Sequence, residues 1–526
     1  MNIIPKPQVY TSKGGKCALA NVGKLNICEE FSSLSAFVKE YFTGLCDWEN
    51  SAGEFCISLV PSLPKEGYIL DIDKDNIYIK ASSYEGAFYA LQSLRVLSHS
   101  DCKEKYESIE CLHIEDKPEF GWRGILLDES RHFFGKEYVK SLIDMLALHK
   151  LNVLHWHLTD DQGWRIEIKK YPLLTEIGSK RSKSNIHGWK KTDDDGTPHS
   201  GFYTQEDIKE IVAYAKERCI SIIPEIDMPA HFAAAFAAYP HLACREIQVE
   251  VPWYFGGTYP LSVGQKDWNR SACIGKPTTF EFIHDVIDEV SELFPAPYLH
   301  IGGDEAPYEE WRNCEHCQAL MKEKGLQNEK QLQGYFTNEV QKYLASKNRT
   351  LLGWNEVLHG GNLDSSVTVQ YWVPLCDKYV KKHLENGGNI ILSKHRFFYF
   401  DMPYAQYNLQ KAYSFQPYFD GIKPKHRSQI LGVEGAVWTE WIPTVEKLNF
   451  QLYPRLEALA EVGWNQNGKD WDDFKARLDE FKEILTDKGI KYAKDEISCG
   501  KNLLKRAATQ REWYFSNENV EFDKNN

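Results

Sequence analysis

Short apolar strands alternate with helical stretches along most of this chain, and this alternation, which begins at Pro118 and produces eight strands, constrains the fold more than any other feature. Strands that alternate with helices indicate βαβ units and a parallel sheet, and eight such units predict a closed (β/α)8 barrel of the TIM type. The predicted strands are Arg123–Asp128, Val153–Asp160, Ser221–Asp227, Tyr298–Asp304, Thr350–Asn355, Val367–Trp372, Asn389–Lys394 and Leu431–Glu440.

Helical periodicity and two long insertions fill the intervals between these strands. The active site of such a barrel lies at the carboxyl ends of the strands, among the loops that follow them. Insertions after the second and third strands, at about 162–202 and 228–278, are therefore expected to overhang the site. Helices are predicted at 136–150, 204–218, 279–294 and 330–347, with a last one at about 451–464.

The residues before the barrel predict a small α/β domain. Tyr68–Ile72 and Ile77–Ala81 alternate in polarity like two strands joined by a polar turn. Ser82 and Glu85 have the spacing of a capping box, and apolar residues repeat at helical spacing over 84–94, so a helix is expected to follow. No cluster of candidate catalytic residues occurs in this segment, which indicates a packing role.

Length and composition are compatible with a barrel and a smaller partner. The chain has 526 residues, of which 42% are hydrophobic, so a sizeable core can be buried. We predict an N-terminal α/β accessory domain at 1–117, a catalytic barrel at 118–470, and a C-terminal helix followed by a polar tail at 471–526.

The net charge of −13 narrows the range of partners. Nucleic acids and anionic membranes both attract basic surfaces, so neither is an expected partner. No run of about 18 apolar residues occurs, so no membrane span is predicted. The N-terminus, MNIIPKPQVY, lacks the charged and apolar segments of a signal peptide, which indicates a cytoplasmic protein. No pattern in the sequence indicates an oligomeric state.

The 13 cysteines are scattered through predicted strands and helices, and their number is odd. This usage favours reduced thiols over a disulfide framework. Cys314 and Cys317 form a CxxC pair, but a structural zinc site needs a second pair nearby, and His316 alone does not supply one. We therefore interpret the pair as two ordinary thiols on a helical turn and predict no metal and no cofactor.

Polar and aromatic side chains gather at the predicted strand ends. The core of a barrel does not need carboxylates, imidazoles and indoles, so their presence at every strand end indicates a site. Carboxylates beside indoles favour glycoside chemistry, because a carboxylic acid can protonate the leaving oxygen while aromatic walls hold a pyranose ring. The residues concerned are Asp128, Arg131, His155, His157, Asp160, Asp161, Glu225, Asp227, His231, His300, Asp304, Glu305, Trp354, Glu356, Trp372, Tyr399, Asp401, Trp438, Glu440 and Trp441.

Asp304 and Glu305 form the strongest acidic pair, and they are adjacent in the sequence. A retaining glycosidase usually places two carboxyl groups about 5 Å apart across the scissile bond. Two neighbours cannot easily straddle one bond, so if both reach the site they lie on the same side and have different roles. Some other group must then be the nucleophile, and substrate-assisted catalysis has that property.

Several motifs occur in the order found in one enzyme family. The most specific is HIGGDE at 300–305. Together the motifs resemble those of family 20 glycoside hydrolases, the β-N-acetylhexosaminidases, over residues 118 to about 465, and the segment from the opening IIPKPQ to Leu97 resembles the accessory α/β domain of that family. The other motifs are Arg123-Gly124, Leu127-Asp128, Ser130-Arg131-His132, HWHLTDDQGWR at 155–165, PEIDMPAH at 224–231, Gly353-Trp354, Gln370-Tyr371-Trp372, Tyr399-Phe400-Asp401, Gly432-Val433-Glu434 and Trp438-Thr439-Glu440.

The resemblance implies an exo-acting, retaining enzyme that removes terminal GlcNAc or GalNAc through an oxazolinium intermediate, with the acetamido group of the substrate as nucleophile. Glu305 matches the general acid/base of the family. Asp304 matches the carboxylate that accepts the acetamido N–H and stabilises the oxazolinium, and Tyr399 matches the donor to the acetamido oxygen. The implied substrate is a small glycoside, an oligosaccharide or a glycoconjugate.

Further residues match the sugar-binding and supporting positions of the family. They are Trp354, Trp372 and Trp438 around the acetamide and the sugar face, and Arg131, Asp401 and Glu440 at the outer hydroxyls. Asp160 and His231 match a supporting pair that leads toward Glu305 and is expected to hold its pKa near neutrality.

Two segments depart from the family pattern. Asn355 follows Trp354 where relatives often carry an acid or glutamine, and the segment 395–398 before Tyr399 is unusual. Both are expected to alter the site for the leaving group, so the aglycone preference stays open.

Two alternative functions remain at this stage. A metal-dependent TIM-barrel hydrolase would use the donors His155, His157, Asp160, His231 and Asp304. A catalytically inactive sugar-binding protein on the same barrel would not need both acids of the 304–305 pair.

Overall fold

The computed structural model describes residues 2–186, 193–255, 270–374, 377–418 and 422–500, together with 504, 507–509, 511 and 521. Residues 187–192 and 256–269, which belong to the two predicted insertions, lie outside the described residues, as does most of the predicted polar tail.

A mixed sheet and two helices precede the barrel in the described part of the chain. They are β1 (Val9–Ala18), β2 (Val22–Ile27), α1 (Leu34–Tyr41), β3 (Gly53–Leu59), β4 (Tyr68–Ile72), β5 (Ile77–Ala81), α2 (Tyr84–Ser98) and β6 (Ser108–Asp116). The strand order is β1-β6-β4-β5-β3-β2, and the antiparallel pair β4–β5 coincides with the two predicted strands. The predicted capping box is wrong by one residue, because Ser83 accepts the N–H of Gly86 at the start of α2 while the Ser82 hydroxyl donates to the carbonyl of Pro64.

Among the described residues, eight parallel strands close into a barrel, which confirms the predicted fold class. The strands after the first sheet are β7 (Trp122–Asp128), β8 (Val153–Asp160), β9 (Gly163–Trp164), β10 (Lys180–Arg181), β11 (His199–Ser200), β12 (Ser221–Ile226), β13 (Tyr298–His300), β14 (Thr350–Trp354), β15 (Thr368–Tyr371), β16 (Ile390–Leu392) and β17 (Ile430–Val437). The barrel runs β7-β8-β12-β13-β14-β15-β16-β17, and β17 pairs with β7 to close it. The short strands β9, β10 and β11 belong to the first insertion.

The fourth barrel strand is shorter than the sequence predicts. It ends at His300 instead of Asp304, because Gly302 and Gly303 adopt φ values of 65° and 85° that favour glycine and turn the chain out of the sheet. Asp304 and Glu305 therefore lie on a loop beyond the carboxyl end of β13.

Helices surround the barrel, and four of the five predicted helices begin within two residues of their predicted positions. The surrounding helices are α3 (Lys136–Leu148), α4 (Leu173–Glu176), α5 (Gln205–Glu217), α6 (Ala233–Ala238), α7 (Pro277–Leu293), α8 (Tyr308–Arg312), α9 (Glu315–Lys324), α10 (Glu329–Ser346), α11 (Asp377–Glu385), α12 (His395–Phe398), α13 (Leu409–Tyr413), α14 (Val445–Leu452), α15 (Arg455–Trp464), α16 (Trp471–Asp487) and α17 (Asp495–Ser498). The single helix predicted at 451–464 is wrong: α14 ends and α15 begins on either side of Pro454, which has no N–H to continue a helix. None of these helices, within the residues described, combines the length and apolar character that a membrane crossing requires.

The first sheet packs against the amino-terminal end of the barrel. Asp116, at the end of β6, accepts hydrogen bonds from the Trp464 indole at 2.8 Å and from the Lys150 ammonium at 3.2 Å. Arg123, at the start of β7, donates to the Tyr89 hydroxyl at 3.1 Å. These buried contacts lie at the face of the barrel opposite the strand carboxyl ends, so the first sheet leaves the predicted site face free.

Candidate active site

Asp304 and Glu305 lie at the mouth of the barrel, held there by a tight turn. A side-chain carbon at Gly302 would lie 1.8 Å from Asp227 Oδ1, so only glycine allows the turn to pass over this buried carboxylate. Glu305 adopts a φ of 46°, and His231 on the neighbouring loop adopts 49°. Residues other than glycine seldom adopt such values, and when they do they often belong to functional sites.

A chain of charged groups leads from the barrel wall to Glu305. His231 Nδ1 lies 3.2 Å from Asp160 Oδ1, and His231 Nε2 lies 3.5 Å from Glu305 Oε2 and 3.8 Å from Asp304 Oδ2. Asp160 also pairs with Arg131, at 2.7 Å between Nη2 and Oδ2. The structure therefore brings five of the predicted site residues into one connected group.

Burial and neighbouring charges set the ionisation of this group. Burial raises the pKa of Asp304 to about 7, opposed by the charge of His231 and increased by that of Glu305. Burial lowers the pKa of His231, but Asp160 outweighs burial and holds that pKa well above its usual range, so the ring carries a positive charge. Partial burial raises the pKa of Glu305, but the hydrogen bond and charge of His231 outweigh it and leave this pKa below its ordinary value. The predicted pair thus reaches Glu305, but in the protein alone it lowers the pKa of this acid instead of holding it near neutrality.

Replacing His231 with glutamine is expected to move the pH–rate profile for kcat/KM upward by about one to three units, because an opposite charge within hydrogen-bonding range favours ionised carboxyls by that amount. In the parent protein the positive charge of His231 lowers the pKa of both Asp304 and Glu305. Removing that charge therefore raises both pKa values. The measurement is kcat/KM across the pH range on one aryl glycoside. His113→Gln, in β6 of the first sheet, is the control that leaves the profile in place, and an unshifted profile for His231→Gln contradicts the assignment.

Four aromatic rings, Trp354, Trp372, Tyr399 and Trp438, surround the space beside Asp304 and are called here the aromatic box. The rings of Trp372 and Tyr399 stack with centroids 5.6 Å apart and planes 12° apart. The ring centroid of Trp354 lies 5.8 Å from that of Trp438 and 6.3 Å from that of Trp372. Such walls suit a small apolar group and the face of a pyranose ring.

Groups behind the aromatic box fix its orientation, and sequence reasoning did not assign them a role in it. Trp354 Nε1 donates to Glu225 Oε1 at 3.0 Å, and Trp372 Nε1 donates to Glu356 Oε2 at 2.9 Å. Met402 and Tyr407 pack against the box from the loop after the seventh barrel strand. No spacing along the chain relates these residues to the indoles that they hold, so only the folded chain could identify them.

The two departures from the family motif have structural roles in the protein. Asn355 is fully buried, and its Oδ1 accepts the backbone N–H groups of Trp372 at 2.8 Å and Val373 at 3.2 Å. His395 packs edge-on against Tyr399 with ring centroids 4.9 Å apart. Asn355 therefore positions the backbone that carries an aromatic wall, which differs from the expectation that it alters the leaving-group site directly.

Arg131, Asp401 and Glu440 lie at another side of the site. Arg131 donates to Asp128 Oδ2 at 3.2 Å and lies 4.0 Å from Glu440 Oε1. Asp401 Oδ1 is buried and accepts no hydrogen bond from the residues that the structure describes. Burial, reinforced by the charge of Glu440, holds the pKa of Asp401 well above its usual range. These groups are therefore placed to exchange hydrogen bonds with the hydroxyls of a ligand.

The two insertions meet at this side of the site. Gln162, from the first insertion, accepts from Arg131 Nε at 3.1 Å and donates to the carbonyl of Tyr254, in the second insertion, at 3.0 Å. Arg181 lies over the ring of Phe255, 5.2 Å from its centroid. The described parts of the insertions therefore border the site next to Arg131, as the sequence predicts.

The donor set of the metal-dependent alternative is not gathered around one point in the described residues. His155 faces Glu434 at 2.7 Å and Glu225 at 3.1 Å through its two nitrogens. The two nitrogens of His157 face Glu225 at 2.5 Å and Asp160 at 3.0 Å. Both rings are thus engaged with buried carboxylates that form a polar layer under the aromatic box, which disfavours this alternative.

The catalytic domain of glycosyl hydrolase family 20 matches residues 120–467, and domain 2 of the same family matches residues 1–117. A β-hexosaminidase of Porphyromonas gingivalis is 37% identical over 94% of this chain, and the match spans 64% of that relative, less than two thirds of its length. A β-hexosaminidase of Vibrio furnissii is 33% identical over 88% of this chain and 76% of its own length.

Solved structures of similar proteins have the same architecture. The β-N-acetylhexosaminidase of Bacteroides fragilis superposes with a TM-score of 0.81 at 29% identity, over 97% of this chain and 99% of that one. The exo β-N-acetylglucosaminidase of Vibrio harveyi, in complex with N-acetylglucosamine, superposes with a TM-score of 0.81 at 31% identity, over 94% of this chain and 78% of that one.

Proposed function

This chain belongs to glycosyl hydrolase family 20, and from that premise we propose that it is an exo-acting β-N-acetylhexosaminidase that retains the anomeric configuration by substrate-assisted catalysis. The β-hexosaminidase activity of its relatives supports the reaction class. The expected substrates are glycosides, oligosaccharides or glycoconjugates that end in a 2-acetamido sugar.

The observation that carries this proposal is the state of the Asp304 carboxylate. Its Oδ1 is buried and accepts no hydrogen bond from the described residues, and its charge acts on Tyr399 in the aromatic box. A buried, unpaired acceptor costs free energy that a donated hydrogen bond recovers. The N–H of an acetamido group with its methyl in the aromatic box would supply that donor.

In the first step, the acetamido carbonyl oxygen attacks the anomeric carbon as the glycosidic bond breaks. Asp304 accepts the acetamido N–H and stabilises the positive charge that spreads over the oxazolinium ring as it forms. Glu305 donates its proton to the departing oxygen, and the Tyr399 hydroxyl donates to the acetamido oxygen and keeps it aimed at the carbon.

In the second step, water attacks the anomeric carbon on the face that the leaving group vacated. Glu305, now a carboxylate, accepts a proton from this water, the bond from carbon to the acetamido oxygen breaks, and the acetamido group is restored. Two inversions at one carbon give net retention.

Substrate binding adjusts the acid for the first step. The Glu305 side chain is 41% exposed in the protein alone, and a bound sugar would cover it. Desolvation raises the pKa of a carboxyl group, and Asp304 raises it further once the acetamido N–H holds Asp304 in its charged form. Binding thereby opposes the effect of His231 and favours a protonated Glu305.

Exo action follows from the groups around Arg131. Arg131, Asp401 and Glu440 offer donors and acceptors for the outer hydroxyls of a terminal sugar, and the insertions meet beside them. Because these groups would be taken up by the outer hydroxyls of the terminal sugar, we expect cleavage to release one sugar at a time.

A panel of aryl glycosides tests the proposal. GlcNAc and GalNAc glycosides are expected to be hydrolysed, and a glucoside without the 2-acetamido group is expected to react at least about 1,000-fold more slowly, because it lacks the internal nucleophile. A thiazoline mimic of the cyclic intermediate should inhibit competitively. Equal rates on the glucoside, or a covalent glycosyl adduct on a side chain, would overturn substrate assistance.

A further inference from the structure

Four cysteines come together beside the candidate active site and are called here the cysteine cluster: Cys244, Cys273, Cys314 and Cys317. All four Sγ atoms lie within 4.8 Å of one another. The Sγ atom of Cys273 lies 3.5 Å from that of Cys314 and 3.8 Å from that of Cys317. The Sγ atoms of Cys244 and Cys317 are 3.8 Å apart. All four are free thiols, and three of them are buried.

The sulfur spacing matches a single tetrahedral ion. Four thiolates at about 2.3 Å from zinc stand about 3.8 Å from one another in a regular tetrahedron. A disulfide requires about 2.05 Å between sulfur atoms, so the observed spacing is not that of a bonded pair. An iron–sulfur cluster also uses four cysteines, but it places several metal and sulfide atoms between the thiolates and spreads them farther apart.

We propose that the cysteine cluster binds one structural zinc ion. Four sulfur ligands complete the tetrahedron and leave no position for water or substrate, which is the arrangement of structural and not of catalytic zinc. The CxxC pair that the sequence presents as ordinary thiols thus obtains its second pair from the insertion after the third barrel strand. The expectation of a protein without metal is revised for this site.

The surrounding backbone is built to hold the cluster. The N–H of Cys273 donates to the carbonyl of Leu242 at 2.8 Å, and the Lys276 ammonium donates to the carbonyls of His241 and Ala243 at 2.9 and 3.0 Å. These bonds lock together the segments that carry Cys244 and Cys273.

Gly275 allows the third segment to approach. A side-chain carbon at Gly275 would lie 2.1 Å from the carbonyl carbon of His316, so only glycine lets this loop pass against the start of α9. The backbone N–H of Gly275 donates a hydrogen bond to the Cys317 sulfur. Hydrogen bonds to the ligand atoms from groups outside the ligand set hold the ligands of a metal site in position.

The position of the cluster explains what a metal ion would do there. The N–H of Ala272 donates to the carbonyl of Pro229 at 2.8 Å, two residues before His231. The Trp311 indole, on α8 shortly after Glu305, donates to the carbonyl of Ala272 at 3.0 Å. A zinc ion in the cluster would therefore tie the loop that carries His231 to the loop that carries the acid pair.

Metal analysis of the purified full-length chain tests the proposal without relying on enzymatic activity. We expect about one zinc ion per chain, released when a mercurial reagent titrates the thiols. An intact mass lower by four hydrogens would show two disulfides and overturn the proposal. Iron in place of zinc, or reduced thiols with no bound metal in protein produced with added zinc, would overturn it as well.

Cysteine variants locate the site. Cys317→Ser is expected to lose most of the bound zinc and to unfold at a lower temperature than the parent protein. Cys102→Ser, a buried free cysteine outside the cluster, should retain the full zinc content. Full zinc content in Cys317→Ser would contradict the proposal.

Cobalt substitution covers the case in which Cys317→Ser does not fold. Protein produced with cobalt in place of zinc should show the intense absorption bands of tetrahedral, thiolate-bound Co²⁺, and these bands should persist in Cys102→Ser. Cobalt-grown protein without such bands would overturn the proposal.

Discussion

Glu305→Gln is expected to lower kcat by about 100- to 10,000-fold on an N-acetylglucosaminide with a poor leaving group, the range that a positioned general acid contributes. Glutamine keeps the shape of the side chain but cannot transfer a proton to the departing oxygen. Steady-state kinetics on an alkyl and a dinitrophenyl glycoside measure the effect. The dinitrophenyl substrate should lose much less in its first step, since its leaving group needs no proton.

A matched control for this variant lies four residues farther along the chain. Glu309→Gln changes an exposed carboxyl at the start of α8 and should leave kcat within a factor of about two, because surface substitutions away from the site have small effects. A kcat for Glu305→Gln close to that of the parent on the alkyl glycoside would contradict the assignment of Glu305 as the acid.

Asp304→Asn is expected to lower kcat by about 100- to 1,000-fold with a smaller change in KM, the size found when one preorganised group that stabilises transition-state charge is removed. The carboxylate interacts most strongly with the positive charge of the oxazolinium, which develops in the transition state and is absent from the bound substrate. Asparagine keeps the volume but loses the charge. A change in KM with an unaltered kcat would contradict substrate assistance.

The same variant has a stability readout that separates a catalytic role from a structural one. Burial raises the pKa of Asp304 to about 7, so the folded protein loses stability as the pH rises from the ordinary carboxyl pKa of the unfolded state to that value, because the unfolded state ionises first. Below the pKa of the unfolded state, Asp304 is protonated in both states and no such cost exists. At pH 8, Asp304→Asn should therefore unfold at the same or a higher temperature than the parent, as expected when a residue is kept for function at a cost in stability. A large loss of thermal stability would indicate a structural role.

Much of the fold could be predicted because its signals are local. Every residue of a strand such as Val153–Asp160 is buried in the barrel wall, so the residues along the strand reflect that environment. The error at the fourth strand also has a local cause: the apolar pattern extends the strand through Gly302 and Gly303, although two successive glycines allow a turn. The Pro454 break between α14 and α15 was likewise available in the sequence.

Contacts between side chains of different barrel strands could not be predicted from the sequence pattern. The Glu225 carboxylate contacts His155, His157 and His300 and also holds Trp354, from strands that are remote in sequence. The pKa of Glu305 depends on how close His231 lies to it, and only the arrangement of the two loops that carry them sets this distance.

The sequence by itself determined the eight strands, the family, and the residues that stand at the strand ends, because each of these depends on neighbours along the chain. Only the tertiary structure decided which of those side chains touch, how burial sets the ionisation of Asp304, and that Cys244 and Cys273 meet the CxxC pair. Side-chain contacts and desolvation depend on distance in space, and residues 73 positions apart, such as Cys244 and Cys317, become neighbours only when the barrel closes.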